Sequence, residues 1–243
     1  MRDYAQELKK RVAFIQLALK DAHCQGIVYG NSGGKDSALV GILCKLACEN
    51  TLGVAMPCQS SRNFGEDMVD ALAVAEQFHI ETVTVDLTEV KQAICRQIEG
   101  VETLSKPSLG NIAPRLRMTT LYAIAQTRGA LVAGTGNKCE RYMGYFTKWG
   151  DGACDFNPIS DLTVTEIYEF LAYLQAPENI IKKAPSAGLF EGQTDEDEMG
   201  VTYDEIESYM ATGFCGNDHD QIIQRAHRVT EHKRRMPLIY TED

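Results

Sequence analysis

A glycine-rich turn between a short apolar strand and an apolar helix is the feature that most constrains the fold. Residues 26–29 read Gly-Ile-Val-Tyr, residues 30–37 read Gly-Asn-Ser-Gly-Gly-Lys-Asp-Ser, and an apolar segment continues to residue 49. A buried strand that enters a helix through a tight glycine turn is typical of the first unit of an open α/β sheet. Because the helix is apolar nearly all round, it must be buried against that sheet.

Strand and helix patterns continue to alternate along the first half of the chain. The sequence predicts strands at residues 52–56, 81–85 and 130–134, and helical patterns cover residues 66–78 and 87–98. This spacing fits crossover connections between parallel strands. We therefore expect an α/β fold, a doubly wound and mostly parallel sheet with helices on both faces.

Further helices are predicted outside this alternating pattern. Apolar residues at helical spacing predict an amphipathic helix over residues 4–24. Residues 112–127 also look helical, with Pro114 in the first turn, where a missing N–H is harmless. Thr163 and Glu166 have the capping-box spacing that opens a helix.

The C-terminal third is predicted to be rich in loops. Residues 188–200 are expected to form an acidic lid that is disordered without ligand, since long structureless loops in compact domains are usually lids or disordered segments. No internal repeat, low-complexity stretch or Pro/Ser-rich linker marks a boundary. A single domain over residues 1–243 is therefore expected.

Composition limits the partners and the compartment. The 34 acidic residues outnumber the 24 basic ones, and the formal net charge of -10 argues against a nucleic acid or an anionic membrane as partner. The first ten residues lack an apolar secretory core, and no apolar run approaches the ~18 residues of a membrane span. The eight cysteines form no Cys-x-x-Cys pair, so we expect reduced thiols. These features indicate a soluble, cytoplasmic protein.

The loop at residues 30–37 predicts an anion site, because backbone N–H groups and a helix N-terminus converge there. It matches neither the Walker A motif, which needs Ser or Thr directly after the lysine, nor the dinucleotide fingerprint. Asp36 would repel phosphate unless a divalent cation bridged them, so it is interpreted as a Mg²⁺ ligand. The pattern favours a nucleoside triphosphate with a metal ion. The alternative is a simple helix cap.

The segment at residues 32–37 resembles the signature of the ATP pyrophosphatase superfamily, which cleaves ATP between its α- and β-phosphates. By itself it leaves GMP synthetase, argininosuccinate synthetase, asparagine synthetase and tRNA-modifying enzymes open. Four later segments look like the blocks of ammonia-dependent NAD synthetase in the same order, so that this resemblance covers essentially the whole chain; they are residues 110–118, 134–140, 144–151 and 184–195.

The NAD synthetase resemblance implies ATP-dependent amidation of nicotinic acid adenine dinucleotide (deamido-NAD) by ammonia, through an adenylated intermediate. The products are NAD, AMP and pyrophosphate, in the last step of NAD biosynthesis. It implies Mg²⁺ held by Asp36 and Glu140, with Lys148 as a third catalytic residue. The implied ATP contacts are Gly30, Asn31, Ser32, Gly33, Gly34, Lys35, Asp36, Ser37, Thr135 and Ser186.

The resemblance also implies a second substrate site and a departure from the family pattern. Deamido-NAD would contact Arg115, Lys148, Asp155, His232 and Lys233. Many relatives have a phosphate-binding lysine at position 164, where this chain has valine. Lys35 or another cation then replaces it, or ATP binds less tightly.

Family resemblance further implies a homodimer with the dinucleotide at the subunit interface. Glutamine-using relatives carry an additional amidase domain, for which 243 residues leave no room, so free ammonia is the expected donor. Two rival classes remain. A tRNA-thiolating enzyme would want paired catalytic cysteines and a basic surface. A regulatory module that only holds ATP would not need two carboxylates and a second cationic site.

Overall fold

The computed structural model describes residues 2–59, 65–182 and 195–241. In these ranges four strands form one sheet in the order β3-β2-β1-β4, and all neighbouring strands are parallel. The strands are β1 (Gly26–Gly30), β2 (Thr51–Ala55), β3 (Glu81–Thr84) and β4 (Ala130–Ala133). Because β2 and β4 lie on opposite sides of β1, the chain reverses its direction of winding between β1 and β4. Crevices at such switch points, outside the carboxyl ends of the strands, bind the ligands of open α/β sheets.

Eleven α-helices surround this sheet in the described residues. The first five are α1 (Tyr4–Asp21), α2 (Lys35–Ala47), α3 (Glu66–Gln77), α4 (Thr88–Glu99) and α5 (Lys106–Arg128). The others are α6 (Lys138–Met143), α7 (Val164–Tyr173), α8 (Glu178–Ile181), α9 (Asp195–Met199), α10 (Tyr203–Thr212) and α11 (Asp220–Val229), followed by a 3₁₀ turn (Glu231–Lys233). The predicted doubly wound parallel fold is confirmed, since one strand or helix occupies each place where the alternating pattern required it.

Helices cover both faces of the sheet, as successive side chains of β1 show. Ile27 and Tyr29 point into a core built from α1, α2, α3 and α7. Val28, between them, points to the opposite face and packs with residues of β2, β4 and α5. This alternation is the two-residue period of a strand. Burial on both faces explains why β1 is a continuous apolar run in the sequence.

Helix α5 begins earlier than the sequence indicated. It starts at Lys106 instead of residue 112, because the Ser105 side chain caps it by accepting a hydrogen bond from Ser108 N at 3.3 Å. The proline of its first turn is therefore Pro107. The prediction for Pro114 was wrong, since this residue lies inside the helix, where its ring also lines the cavity described below.

The described part of the C-terminal third is largely helical, which corrects the expectation of a loop-rich segment. Thr202 caps α10 in a reciprocal capping box with Glu205, and the chain then forms α11. Of the expected lid at residues 188–200, the described part is α9, whose first residue Asp195 is only 3% exposed. The described part is therefore helical, and residues 188–194 lie outside the described residues.

Two findings concern membrane-spanning helices and cysteines. No helix in the described ranges is long and apolar enough to cross a bilayer. All eight cysteines lie in the described ranges and are free thiols.

Candidate active site

A cavity of about 480 Å³ lies at the carboxyl ends of β1, β2 and β4. The loop after β1 forms one wall, and the ends of β2 and β4 form the floor. Helix α5, the start of α6 and the loop at residues 144–153 complete it. Its volume is in the range of sites for small ligands. The cavity therefore lies where the strand order predicts a binding crevice.

The glycine-rich loop is held in a conformation that admits no side chain at Gly33. This residue has φ +72°, and a Cβ placed on it would lie 2.0 Å from the carbonyl oxygen of Asp67 at the start of α3. Ser37 Oγ donates to Gly34 O at 3.0 Å, and Asn31 Nδ2 donates to Ala71 O at 3.1 Å. These contacts fix the N-terminus of α2 against the cavity, the arrangement that suits a phosphate group.

Two carboxylates meet across the switch point. Asp36 lies in the first turn of α2, Glu140 lies in the first turn of α6, and both line the cavity. Asn137 connects them, because its Nδ2 donates to Asp36 Oδ1 at 3.3 Å and its backbone N donates to Glu140 Oε2 at 2.9 Å. Burial, followed by the neighbouring Asp36 carboxylate, raises the pKa of Glu140 well above its ordinary value.

Asn137 is a site residue that the sequence analysis missed. It is fully buried, and its Oδ1 accepts from Glu140 N at 2.9 Å to complete a capping box at the start of α6. The Asn-x-x-Glu spacing was visible in the sequence. It differs from the Ser/Thr form of the capping box that was used to predict α7.

Lys35 is a buried cation at the same point. Its side chain is almost inaccessible, and its Nζ lies 2.8 Å from Asp36 Oδ2 and 5.6 Å from the centre of the Tyr203 ring. Burial acts to lower the pKa of Lys35, but the carboxylates of Asp36 and Glu140 outweigh it, so the pKa is raised. By contrast Val164 is packed in an apolar cluster with Cys139 and Tyr203 and does not line the cavity.

Helix α9 forms part of the cavity wall. Tyr203 OH donates to Asp195 Oδ2 at 2.9 Å, and Tyr145 OH donates to Glu198 Oε2 at 2.6 Å. Asp195 and Glu198 both line the cavity. Burial, with Glu140 and Asp195 nearby, raises the pKa of Tyr203, which therefore remains a neutral donor. The acidic run that was expected to belong to a lid contributes two of its carboxylates to the site.

A second group of expected residues gathers beside the cavity. Arg115 Nη2 donates to Lys148 O at 3.3 Å, and Lys148 Nζ donates to His232 O at 2.6 Å. Lys233 lines the cavity, where its Nζ donates to the carbonyls of Gly144 and Phe146 at 2.8 Å each. Four of the five expected dinucleotide contacts are thus neighbours. The hydrogen bond from Lys233 to Phe146 joins parts of the chain that are 87 residues apart.

The remaining expected residues have different positions. Thr135 lines the cavity after β4. Asp155 does not line it, because its Oδ2 accepts from Val132 N at 2.7 Å and its Oδ1 accepts from Tyr122 OH at 3.2 Å. Ser186 lies outside the described residues.

Arg117 is a further cavity residue that the sequence analysis did not single out. It projects from α5, donates from Nε to Met56 O at 3.1 Å, and lines the cavity. Burial lowers the pKa of its guanidinium, which still carries its positive charge because arginine is a very strong base. It lies in the 110–118 segment, where only Arg115 had been selected.

The residues present fit a magnesium ion. In the described part of the chain no three His, Cys, Asp or Glu residues cluster as metal ligands. Mg²⁺ in nucleotide sites is commonly held by one or two carboxylates, with water and phosphate oxygens as its other ligands. Asp36 and Glu140 supply such a pair, since both line the cavity beside the glycine-rich loop.

These observations first define a class: an α/β nucleotide-binding protein with its phosphate loop and two carboxylates at the switch point of a parallel sheet. The model of the NAD synthase family matches residues 7–237. The chain belongs to the NAD synthase family, whose members are C–N ligases that use ATP as co-substrate. Membership excludes the other ATP pyrophosphatases and the regulatory module considered above.

Individual relatives agree with this assignment. An NH₃-dependent NAD⁺ synthetase of Carboxydothermus hydrogenoformans is 44% identical over 240 residues, which are 98% of each chain. The structure of an NMN synthetase from Francisella tularensis superposes with a TM-score of 0.93 at 36% identity and covers 100% of both chains. An NH₃-dependent NAD synthetase from Campylobacter jejuni has a TM-score of 0.82 at 34% identity, covering 99% of this chain and 100% of its own. These neighbours have the adenine nucleotide α-hydrolase-like fold, and this chain shares that fold with them.

Proposed function

We propose that this chain catalyses the amidation of nicotinic acid adenine dinucleotide by ammonia, with ATP converted to AMP and pyrophosphate. The observation that carries the proposal is the meeting of Asp36 and Glu140 at the phosphate loop, held together by Asn137. A carboxylate is a poor electrophile. Transfer of AMP to one of its oxygens creates a mixed anhydride, and ammonia then displaces AMP from the acyl carbon.

In this proposal the loop at residues 30–37 binds the ATP phosphates through the N-terminus of α2, with Thr135 and Ser186 as additional ATP contacts. Asp36 and Glu140 would hold Mg²⁺, which when bound offsets the negative charge of the phosphates. The acid pair, the buried loop and Arg117 orient the reacting groups and exclude water. Fixed orientation of two anionic reactants is the main task in such a transfer.

The proposed binding site of the second substrate is formed by Arg115, Lys148, His232 and Lys233. Three of these residues carry cationic side chains suited to phosphate or carboxylate groups. Lys148 is the proposed catalytic cation among them. Asp155 is also a proposed contact, and both of its oxygens already accept hydrogen bonds within the chain. The proposed homodimer places this binding site at the subunit interface.

Free ammonia is the proposed nitrogen donor. The Carboxydothermus and Campylobacter relatives bear NH₃-dependent names and are matched over nearly their whole length. The proposal accordingly treats residues 1–243 as a single synthetase domain without a glutaminase domain. We place the reaction in the cytoplasm, where ATP is available to a biosynthetic ligase.

A second candidate substrate is the mononucleotide. The Francisella structure, which covers both chains completely, is named an NMN synthetase. Nicotinic acid mononucleotide carries the same carboxylate without the AMP half of the dinucleotide. The two candidates share one chemistry and differ in how much surface the substrate needs beside the cavity.

One assay separates these possibilities. Purified protein receives ATP, Mg²⁺ and either acid, with ammonium or glutamine in parallel, and products are resolved by chromatography. NAD formed with ammonium, and not with glutamine, supports the dinucleotide proposal. Amide formed only from the mononucleotide supports the second candidate. No amide from either acid contradicts both.

A further inference from the structure

Asp36 is engaged by two donors of the chain itself. Lys35 Nζ lies 2.8 Å from Oδ2, and Asn137 Nδ2 donates to Oδ1 at 3.3 Å. A divalent cation needs a carboxylate oxygen as ligand. An ammonium group at that oxygen repels the cation, because two positive charges would lie a few ångströms apart. Metal binding at Asp36 and the Lys35–Asp36 ion pair therefore oppose each other.

The Lys35 ammonium has a second partner besides Asp36 in the same conformation. The Tyr203 ring lies 5.6 Å from Nζ, within the distance of a cation–π contact. This ring is fixed by the hydrogen bond from its hydroxyl to Asp195 at 2.9 Å. Lys35 also opens α2 and lines the cavity, so an ammonium that leaves Asp36 stays beside the anion site.

We propose that Lys35 and a divalent cation compete for Asp36, and that the displaced ammonium binds the polyphosphate, with Tyr203 as the positioning residue that keeps it there. This exchange rests on the proposed binding of ATP with a divalent cation. Lys35 therefore binds phosphate when the metal is bound. When the metal is absent, the ion pair of Lys35 with Asp36 opposes metal binding.

The test uses Lys35→Met, which keeps the length of the side chain and removes its charge. Mn²⁺ binding without nucleotide is titrated by electron paramagnetic resonance. Binding of α,β-methylene-ATP at saturating Mn²⁺, where the metal has displaced Lys35, is measured by calorimetry. Lys35→Arg is the charge-retaining control, and Asp36→Asn identifies the metal site that is being titrated. Lys35→Gln is the second neutral variant if Lys35→Met does not fold.

The expected results have opposite directions. Lys35→Met binds Mn²⁺ roughly tenfold more tightly than wild type, since a hydrogen bond to a charged group contributes about 1.5 kcal/mol or more. At saturating Mn²⁺ it binds the nucleotide roughly tenfold more weakly, because the contact between the ammonium and the polyphosphate is lost. Lys35→Arg stays within about threefold of wild type in both measurements, because it keeps the charge.

Equal or weaker Mn²⁺ binding by the neutral variant overturns the inference, as does unchanged nucleotide binding. A merely structural role of Lys35 would weaken both ligands together. Failure of the proposed function looks different. In that case wild type binds no α,β-methylene-ATP with or without Mn²⁺, and the phosphate-binding half of the inference falls with it.

Discussion

Asn137 is where the geometry of the site makes its sharpest prediction. Its side chain caps α6 and also donates to Asp36, so replacement by alanine removes two contacts at once. Loss of the cap costs about 1 kcal/mol. Loss of a hydrogen bond to a carboxylate costs about 1.5 kcal/mol. The free energy of unfolding should fall by about 2.5 kcal/mol, and the Tm by about 5–10 °C.

The effect on catalysis should exceed the effect on folding. Without Asn137 the carboxylate of Asp36 loses the group that fixes it relative to Glu140, so kcat/KM for ATP should fall at least tenfold, or ~1.4 kcal/mol. Urea denaturation and steady-state kinetics measure the two quantities separately. Asn137→Ser keeps a good cap and removes the amide, so it should recover the ~1 kcal/mol of the cap and still lose activity.

Thr163→Ala supplies the matched control. Thr163 caps α7 through a capping box of the same form, and it does not line the cavity. This variant should lose about 1 kcal/mol of stability and keep kcat/KM within about twofold. The reasoning is refuted if Asn137→Ser retains wild-type activity, or if Thr163→Ala loses as much activity as Asn137→Ala.

Three further predictions follow from the described contacts. Tyr29 is fully buried and its hydroxyl has no hydrogen-bond partner, so Tyr29→Phe should raise the free energy of unfolding by about 1 kcal/mol in urea titrations, and a loss would contradict this account. Gly33→Ala combines a positive φ with a clash and should abolish ATP binding measured by calorimetry, whereas Gly213→Ala, at φ +80° with nothing within 4 Å, should lose only about 1–2 kcal/mol of stability. Because the pKa of Glu140 is raised in the folded protein, the folded state binds the extra proton and wild-type stability falls as pH rises above 4.5. In EDTA, Glu140→Gln should therefore gain stability over wild type as pH rises from 4.5 toward 8, and a difference independent of pH would reject the assignment.

The sheet and its phosphate loop could be predicted because their signals are local. Strand β1, the turn and helix α2 are contiguous, and each has the residue pattern that its structure requires. Asp36 could be chosen from charge alone, since an acid in an anion site indicates a cation. Glu140 could be chosen only through the family resemblance, because a lone acid after a strand has many uses.

The contacts between distant parts of the chain at the site could not be predicted in the same way. Asn137 and Asp36 are 101 residues apart, and Lys148 and His232 are 84 apart, so their contacts exist only after the chain has folded. The early start of α5 was missed because Pro114 was taken as the first-turn proline instead of Pro107. The acidic run at α9 was assigned to a lid without structure of its own, because composition does not show that Tyr203 and Tyr145 bind two of its carboxylates.

The central claim is that AMP is transferred to the substrate carboxylate at the loop that carries Asp36. It can be tested with nicotinic acid adenine dinucleotide whose carboxylate oxygens are both ¹⁸O, incubated with ATP, Mg²⁺ and ammonium. The account predicts, by mass spectrometry, one ¹⁸O in the AMP and one in the amide of NAD for each turnover. NAD formed with no ¹⁸O in AMP would contradict it.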